Sequence, residues 1–212
     1  MKPANENLIP SRLAKRANYD KDTLYSILDE ALYCTISYVS GGKPFSIPTA
    51  FVRYEDKIYI HGSVGSHFIL EIAKGIPVCI SITLMDDLVV AKSAFHHSVN
   101  YRSVIIFAEG EKIEDHALKT DAFMWLTDKM VPGSWNYLRP IKESEVKKTV
   151  AIAFNLDQAS AKLRSGMPSD DEEDQSLPIW SGLIPFAKGR KAPIADELSQ
   201  DIPLPEHLKG IV

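Results

Sequence analysis

Three stretches of the sequence carry side chains able to do chemistry, and none holds a familiar catalytic signature. The first is Tyr59-Ile60-His61-Gly62-Ser63-Val64-Gly65-Ser66-His67. It reads as a strand end, a glycine-containing turn and a helix start, an arrangement that exposes backbone N–H groups and favours an anion. Ser63 and Ser66 add hydroxyl donors, and His61 and His67 add imidazoles; the same residues would equally serve as plain helix caps. No lysine follows the glycines, so the segment is not a P-loop. The second stretch is Phe95-His96-His97-Ser98-Val99-Asn100-Tyr101-Arg102-Ser103. Adjacent histidines on extended chain point to opposite faces and rarely share one metal ion. Arg102, on a partly buried strand, needs either a protein carboxylate or a ligand phosphate. The third is Leu177-Pro178-Ile179-Trp180-Ser181-Gly182, where Trp180 either fills core or packs on a planar ligand. Lys162-Leu163-Arg164 adds a basic cluster that reads as surface or as an approach to an anion.

There is no G-x-S-x-G elbow, no H-E-x-x-H and no G-x-G-x-x-G after a strand. A chain without an evident nucleophile or base suits a protein whose cofactor does the chemistry. The two cysteines, Cys34 and Cys79, lie in apolar strand-like runs; they read as free buried thiols in a cytoplasmic protein, and without histidines at ligand spacing they make no metal site. A net charge of −4 gives no electrostatic reason for nucleic-acid binding. No apolar run reaches the roughly 18–20 residues of a membrane span. The first residues, MKPANENLIPSR, lack an apolar signal core, so export is not expected. With 212 residues, 45% hydrophobic and 25% charged, the chain is expected to form one globular domain over 1–212, with an N-terminal arm at 1–18 and a C-terminal tail at 187–212.

The elements that must position these groups follow from periodicity. Asp20 caps an expected helix with Leu24, Ile27, Leu28 and Ala31 on one face. Strands are expected at Leu32 to Val39, Pro44 to Arg53 and Lys57 to His61, joined by tight turns. A helix follows from Val64 to Lys74, then apolar strands from Ile76 to Leu84 and Leu88 to Phe95 around Asp86-Asp87. Asn100 to Ile113 reads as one long strand, Asp115 to Met130 as a helix, Lys142 to Lys148 as a helical turn and Thr149 to Asn155 as a strand. The acidic run Asp170 to Asp174 reads as a solvated loop before a last strand, Pro178 to Phe186. Seven or so strands with one helix inserted after the third predict a mainly β fold, with some α: an antiparallel, six- to seven-stranded, closed or nearly closed β-barrel with peripheral helices.

These segments resemble the pyridoxamine 5′-phosphate oxidase superfamily of FMN-binding split barrels, in the branch of the nitroimidazole-resistance-like flavoproteins. The likeness runs from about Lys15 to Phe186. It rests on Tyr19-Asp20, on Lys43 to Ala50, on HGSVGSHF, on AFHHSVNYRSV, and on SAKLRSG with PIWSG. It implies FMN as cofactor, held in a homodimer at the subunit interface. Ile47, Pro48, Thr49 and Ala50 would run along the isoalloxazine, and His61, Gly62, Ser63, Ser66 and His67 would surround the phosphate. Tyr101, Arg102, Ser103 and Trp180 would approach the ring near the interface. The implied activity is FMN-dependent reduction of a small molecule, with NAD(P)H as a possible donor and His61 or His97 as proton donor. A flavin-binding or sensing protein without turnover is the alternative, and a haem-binding or haem-degrading split barrel a third, which His61, His67, His96 and His97 keep open. Two features depart from the true oxidases: His67-Phe68 replaces their basic pair, and no arginine follows Trp180 until Arg190. Pyridoxamine 5′-phosphate oxidation is therefore not the expected reaction.

Overall fold

The computed structural model describes residues 8–9, 14–187 and 189–210; residues 1–7 and 10–13 of the expected arm, and residues 188 and 211–212 of the tail, lie outside the described residues. A short β1 (Ala17–Asn18) precedes α1 (Lys21–Glu30), which Asp20 caps by accepting the Thr23 N–H at 3.0 Å. Next, β2 (Tyr33–Ser40) and β3 (Lys43–Ala50) form a hairpin whose two loop residues, Gly41 and Gly42, take positive φ of 56° and 73°. The chain continues through β4 (Val52–Tyr54), β5 (Lys57–Ser63), α2 (His67–Ile72), β6 (Pro77–Val90), β7 (Ser98–Glu109) and β8 (Glu111–Lys112). It ends with α3 (His116–Met130), α4 (Glu143–Lys147), β9 (Thr149–Asn155), β10 (Ala159–Arg164), β11 (Gly182–Pro185) and a short α5 (Glu206–Lys209).

Two antiparallel sheets result. The seven-stranded sheet has the order β1-β10-β7-β6-β2-β3, with β11 paired to the far half of β6; the four-stranded sheet has the order β4-β5-β9-β8. The core lies between them. Ile36, Ile80, Ile82, Val104 and Ile106 of the larger sheet pack in one cluster with Ile58, Ile60, Ile152 and Phe154 of the smaller, and Leu24, Ile27 and Leu28 of α1 join it. The outer face of the smaller sheet is covered by α3, whose Ala122, Phe123 and Leu126 meet Val52, Tyr59 and Ala151. The outer face of the larger sheet stays open: Val39 is exposed, and Thr35, Ser37, Cys79 and Phe107 are only half-buried.

The split barrel is as expected; its strand count is not. Two expected strands each cross from one sheet to the other. Pro44 to Arg53 divides at Phe51, which is fully buried, into β3 and β4. Asn100 to Ile113 divides at Gly110, where a Cβ would sit 2.5 Å from the Ile72 carbonyl oxygen. Conversely, the two strands expected around Asp86-Asp87 are one strand, β6. Its register on β7 steps from Met85↔Tyr101 to Asp87↔Asn100, which makes Asp86 the extra residue of a bulge rather than part of a turn. The strand β10 was not anticipated, because alanine, serine, lysine and arginine carry little β-signal. The last strand shrinks to Gly182–Pro185, and α2 starts only at His67 because Ser66 is its cap. Among the described residues no helix is long and apolar enough to cross a membrane.

At the end of α3 the Lys129 ammonium donates to the Leu28 carbonyl at 2.7 Å and lies 3.9 Å from the centre of the Phe51 ring. Burial pulls its pKa down to about 8, although Asp29 and Cys34 pull the other way. The unfolded chain keeps this proton up to the ordinary value of 10.5 while the folded one releases it near 8, so stability rises with pH across that window. Relative to Lys129→Met, the wild-type protein should gain up to about 3 kcal/mol over that range. Urea titrations at a series of pH values read this difference, and a pH-independent gap would show that the charged lysine is not desolvated.

Candidate functional site

The turn from β5 to α2 forms the corner anticipated for an anion. Ser66 Oγ accepts the Ile69 N–H at 3.5 Å, Ser63 Oγ accepts the Gly65 N–H at 3.2 Å, and the Ser66 N–H donates to the Ser63 carbonyl at 3.0 Å. Both hydroxyls act as acceptors here, and among the described residues nothing takes their hydrogens. The Val64 N–H donates to the Lys148 carbonyl at 3.1 Å, which brings exposed Lys148 to the corner. Gly62 faces away from it, packed so tightly on α2 that a Cβ would meet Ile69 Cγ1 at 2.5 Å. His67 is largely exposed, with Nε2 4.0 Å from Glu71 Oε1. The rings of Phe45 and His67 lie 6.3 Å apart, so β3 starts beside the corner. As the edge strand of its sheet, β3 leaves one row of backbone groups unpaired along Ile47, Pro48, Thr49 and Ala50, and an edge tolerates Pro44 and Pro48.

His61 lies on the same face of β5 as Ser63 and points towards α3. Its ring meets Phe123 edge-on at 5.5 Å, and lost hydration pushes its pKa below the ordinary value, leaving a neutral imidazole at pH 7. Together with Trp135, Ile141, Glu145 and Thr149 it lines a cavity of about 200 Å³. The Glu145 carboxyl is pulled down to about 2, chiefly by the Arg139 guanidinium and then by the Lys142 N–H, so it is a permanent acceptor. Sequence reasoning missed Lys148, Trp135 and Glu145. They come from the α3–α4 segment, which carries no motif; a tryptophan between helices in an otherwise polar stretch was the only signal.

A second group gathers around the β6 bulge. Tyr101, Arg102 and Ser103 of β7 lie between Met85, Leu84 and Thr83 of β6 and Arg164, Leu163 and Lys162 of β10. Arg102 takes the carboxylate alternative that the sequence left open. Its Nε and Nη2 donate to Asp86 at 3.0 and 2.8 Å, and its other contacts go to Glu30. Those contacts, Glu30 first, hold its pKa above the ordinary value. Arg164 reaches buried Asn100, which in turn donates to Asp87 at 2.9 Å, so this basic residue is not a loose surface charge. Trp180 is 63% exposed and lies on Gly182, where a Cβ would come within 2.9 Å of its ring. His97 Nδ1 is 2.9 Å from the Ser93 carbonyl, and His96 Nε2 is 3.3 Å from Asp171. The acidic run is docked rather than merely solvated: Asp170 accepts the Lys92 N–H at 2.8 Å, and Lys92 Nζ donates to the carbonyls of Gln175 and Leu177.

Thus the chain sets Phe45, near the start of β3, beside the His61–His67 turn, and separately clusters Tyr101–Ser103 with the bulge. No cluster of three or more histidine, cysteine or acidic side chains able to hold a metal ion occurs among the described residues.

With this geometry in hand, a family model described as pyridoxamine 5′-phosphate oxidase matches residues 20–163. The structure of flavocytochrome Anf3 from Azotobacter vinelandii is similar at 32% identity and a TM-score of 0.92, covering 100% of this chain and 99% of that one. An FAD and haem binding protein from Mycobacterium smegmatis is similar at 33% identity and a TM-score of 0.88, covering 92% and 97%. A 5-nitroimidazole antibiotic resistance protein from Bacteroides thetaiotaomicron shares the fold at 21% identity and a TM-score of 0.59, covering 69% and 85%. No curated protein matches the chain.

Arg102→Met keeps the aliphatic stem and leaves Asp86 and Glu30 without their shared cation. The expected loss is about 2 kcal/mol of stability in urea unfolding. Unchanged stability would mean that water screens the triad.

Proposed function

Because the chain belongs to the pyridoxamine 5′-phosphate oxidase family of split barrels, we propose that it is a redox protein of the flavocytochrome type, binding a flavin and a haem and delivering electrons to a small molecule. The observation that carries this reading is the likeness, over the whole chain and at more than 30% identity, to a flavocytochrome, together with the similar likeness to an FAD and haem binding protein.

The residues fit a flavin. FMN, which the sequence resemblance implied, and FAD share the isoalloxazine, the ribityl chain and the first phosphate, so one corner serves either. The unpaired edge along Ile47, Pro48, Thr49 and Ala50 would meet the ring. The uncommitted hydroxyl hydrogens of Ser63 and Ser66, with His67, would meet the phosphate. Lys148 would supply the cation that His67-Phe68 does not. The residues also fit a haem. His97 anchors Nδ1 on a backbone carbonyl and leaves Nε2 open, the arrangement that orients metal-binding imidazoles, and His67 is open to solvent. Exposed Phe95, whose ring meets His96 edge-on, adds apolar surface for a flat ring. When bound, the two groups would couple two-electron to one-electron chemistry; His61 and His97 are the chain's candidates for moving a proton.

A homodimer would use the open face of the seven-stranded sheet, where a groove of about 800 Å³ runs past Val39, Phe45, Pro77 and Phe107. Tyr101 and Ser103 emerge on that face. A second copy would thus bring its Tyr101, Ser103 and Trp180 towards the flavin edge, uniting the two groups that one protomer keeps apart. The unpaired thiols Cys34 and Cys79 favour a reducing, cytoplasmic setting.

The purified full-length protein should show flavin bands and a Soret band in one spectrum, and run as a dimer in sedimentation. His97→Ala should shift or abolish the Soret band while the flavin bands persist. A colourless protein that takes up neither group would overturn the reading, and a yellow protein that excludes haem would reduce it to a flavoprotein.

A further inference from the structure

We propose that Lys92 is a positioning residue for haem: gripped by the acidic loop, it pins the connection between β6 and β7, so that His97 presents Nε2 in one fixed direction. The inference rests on the haem reading above and deepens it.

The connection, residues 91–97, does little to hold itself. Its Ser93 carbonyl accepts the His96 N–H at 3.2 Å and lies 2.9 Å from His97 Nδ1, so the direction of the His97 ring follows the Ser93 peptide. Ser93 precedes the single turn Ala94–His96, where a hydroxyl commonly caps, yet its Oγ makes no cap bond. Ser93 Oγ and His96 Nε2 are both buried without a hydrogen-bond partner among the described residues, although His96 Nε2 lies 3.3 Å from Asp171. Phe95 is 89% exposed and His97 is exposed too, so packing fixes neither.

The hold comes from outside, from residues 167–181. This segment leaves Gly166, whose carbonyl accepts from Asn100 Nδ2 at 3.2 Å near the start of β7. It returns at Gly182, the cross-strand partner of Val90 at the end of β6. It therefore runs from one strand to the other beside the connection that joins them. Its grip falls on Lys92, the residue before Ser93. The Lys92 N–H donates to Asp170 Oδ1 at 2.8 Å, and Nζ donates to the carbonyls of Gln175 and Leu177 at 2.7 and 2.6 Å. Backbone and side chain of one residue are thus both held, two of the three bonds coming from a charged donor. Within the segment the Asp174 and Leu177 N–H groups donate to the carbonyls of Asp171 and Asp174, both at 3.0 Å, which keeps the acceptors in place. An imidazole that binds a metal is oriented by the bond at its other nitrogen. Here the Ser93 carbonyl makes that bond, and Lys92 anchors the chain one residue before it.

The test uses haem-loaded full-length protein and reads the Soret band, together with the rate at which haem passes to excess apomyoglobin. Lys92→Met should shift the Soret band and speed haem loss about tenfold, the lower end of what an orienting partner contributes, while the flavin bands stay. Lys92→Arg should restore the rate to within about threefold, since a guanidinium also donates to carbonyls. In a His97→Ala background Lys92→Met should change the rate by less than about twofold, because its effect runs through His97. Retained flavin shows that each variant is folded. No effect of Lys92→Met would overturn the proposal. So would equal acceleration in both backgrounds, which would mean that Lys92 holds haem directly or supports the fold in general. If wild type takes up no haem, or His97→Ala loses it no faster, the haem reading itself has failed and this proposal falls with it.

Discussion

A guanidinium at the end of a barrel core must be neutralised, and the way Arg102 is neutralised organises the open end of this protein. One carboxylate comes from Asp86, which exists in that position only because β6 bulges by one residue against β7. The other comes from Glu30, the last residue of α1, where a negative charge sits badly against the helix dipole unless a cation offsets it. The triad therefore joins a helix end, a strand irregularity and a central strand through one side chain. Beside it Asn100 links Arg164 to Asp87, so the next strand is tied to the same bulge. Charged groups that are partly buried in this way are tolerated because each is paired and hydrogen-bonded.

The sheets divide the chemistry. Their apolar inner faces are spent on the core, and the outer face of the small sheet is spent on α3. What remains for ligands lies on margins: the edge of β3, the corner after β5, the cavity under α4 and the open face of the large sheet. Each margin is built by a residue that stops a regular element, such as Ser66 capping α2. That is why the candidate groups sit at turns and edges while the strand centres carry isoleucine and valine.

Local chemistry was legible in the sequence wherever one segment decided the outcome. Asp20, Asp115 and Ser66 cap as their types require, Leu24, Ile27 and Leu28 face the core, and the Gly41-Gly42 hairpin forms. The sequence was silent wherever two distant segments decided it. Asp86-Asp87 looks like a turn until β7 is seen pairing through it, and Phe51 and Gly110 look like strand interior until the second sheet claims the chain beyond them. The same limit applies to the site. The HGSVGSH turn announced itself, whereas Lys148 reaches that turn only through a backbone hydrogen bond to Val64, from a position 84 residues later. For Arg102, composition demanded a partner but could not choose between carboxylate and ligand; Asp86 and Glu30 supply the answer within the chain.

The docked acidic loop has a kinetic meaning. Asp170 grips the Lys92 N–H across a separation of 78 residues, and Lys92 reaches 83 and 85 residues ahead to Gln175 and Leu177. Contacts that span so much chain form late, because the strands between must be placed before closing the loop is rewarded. Few apolar side chains hold the loop, so it opens at lower free energy than the barrel beneath it. The segment that carries Trp180 is thus expected to dock only after the strands beneath it are in place, and to open without unfolding the barrel.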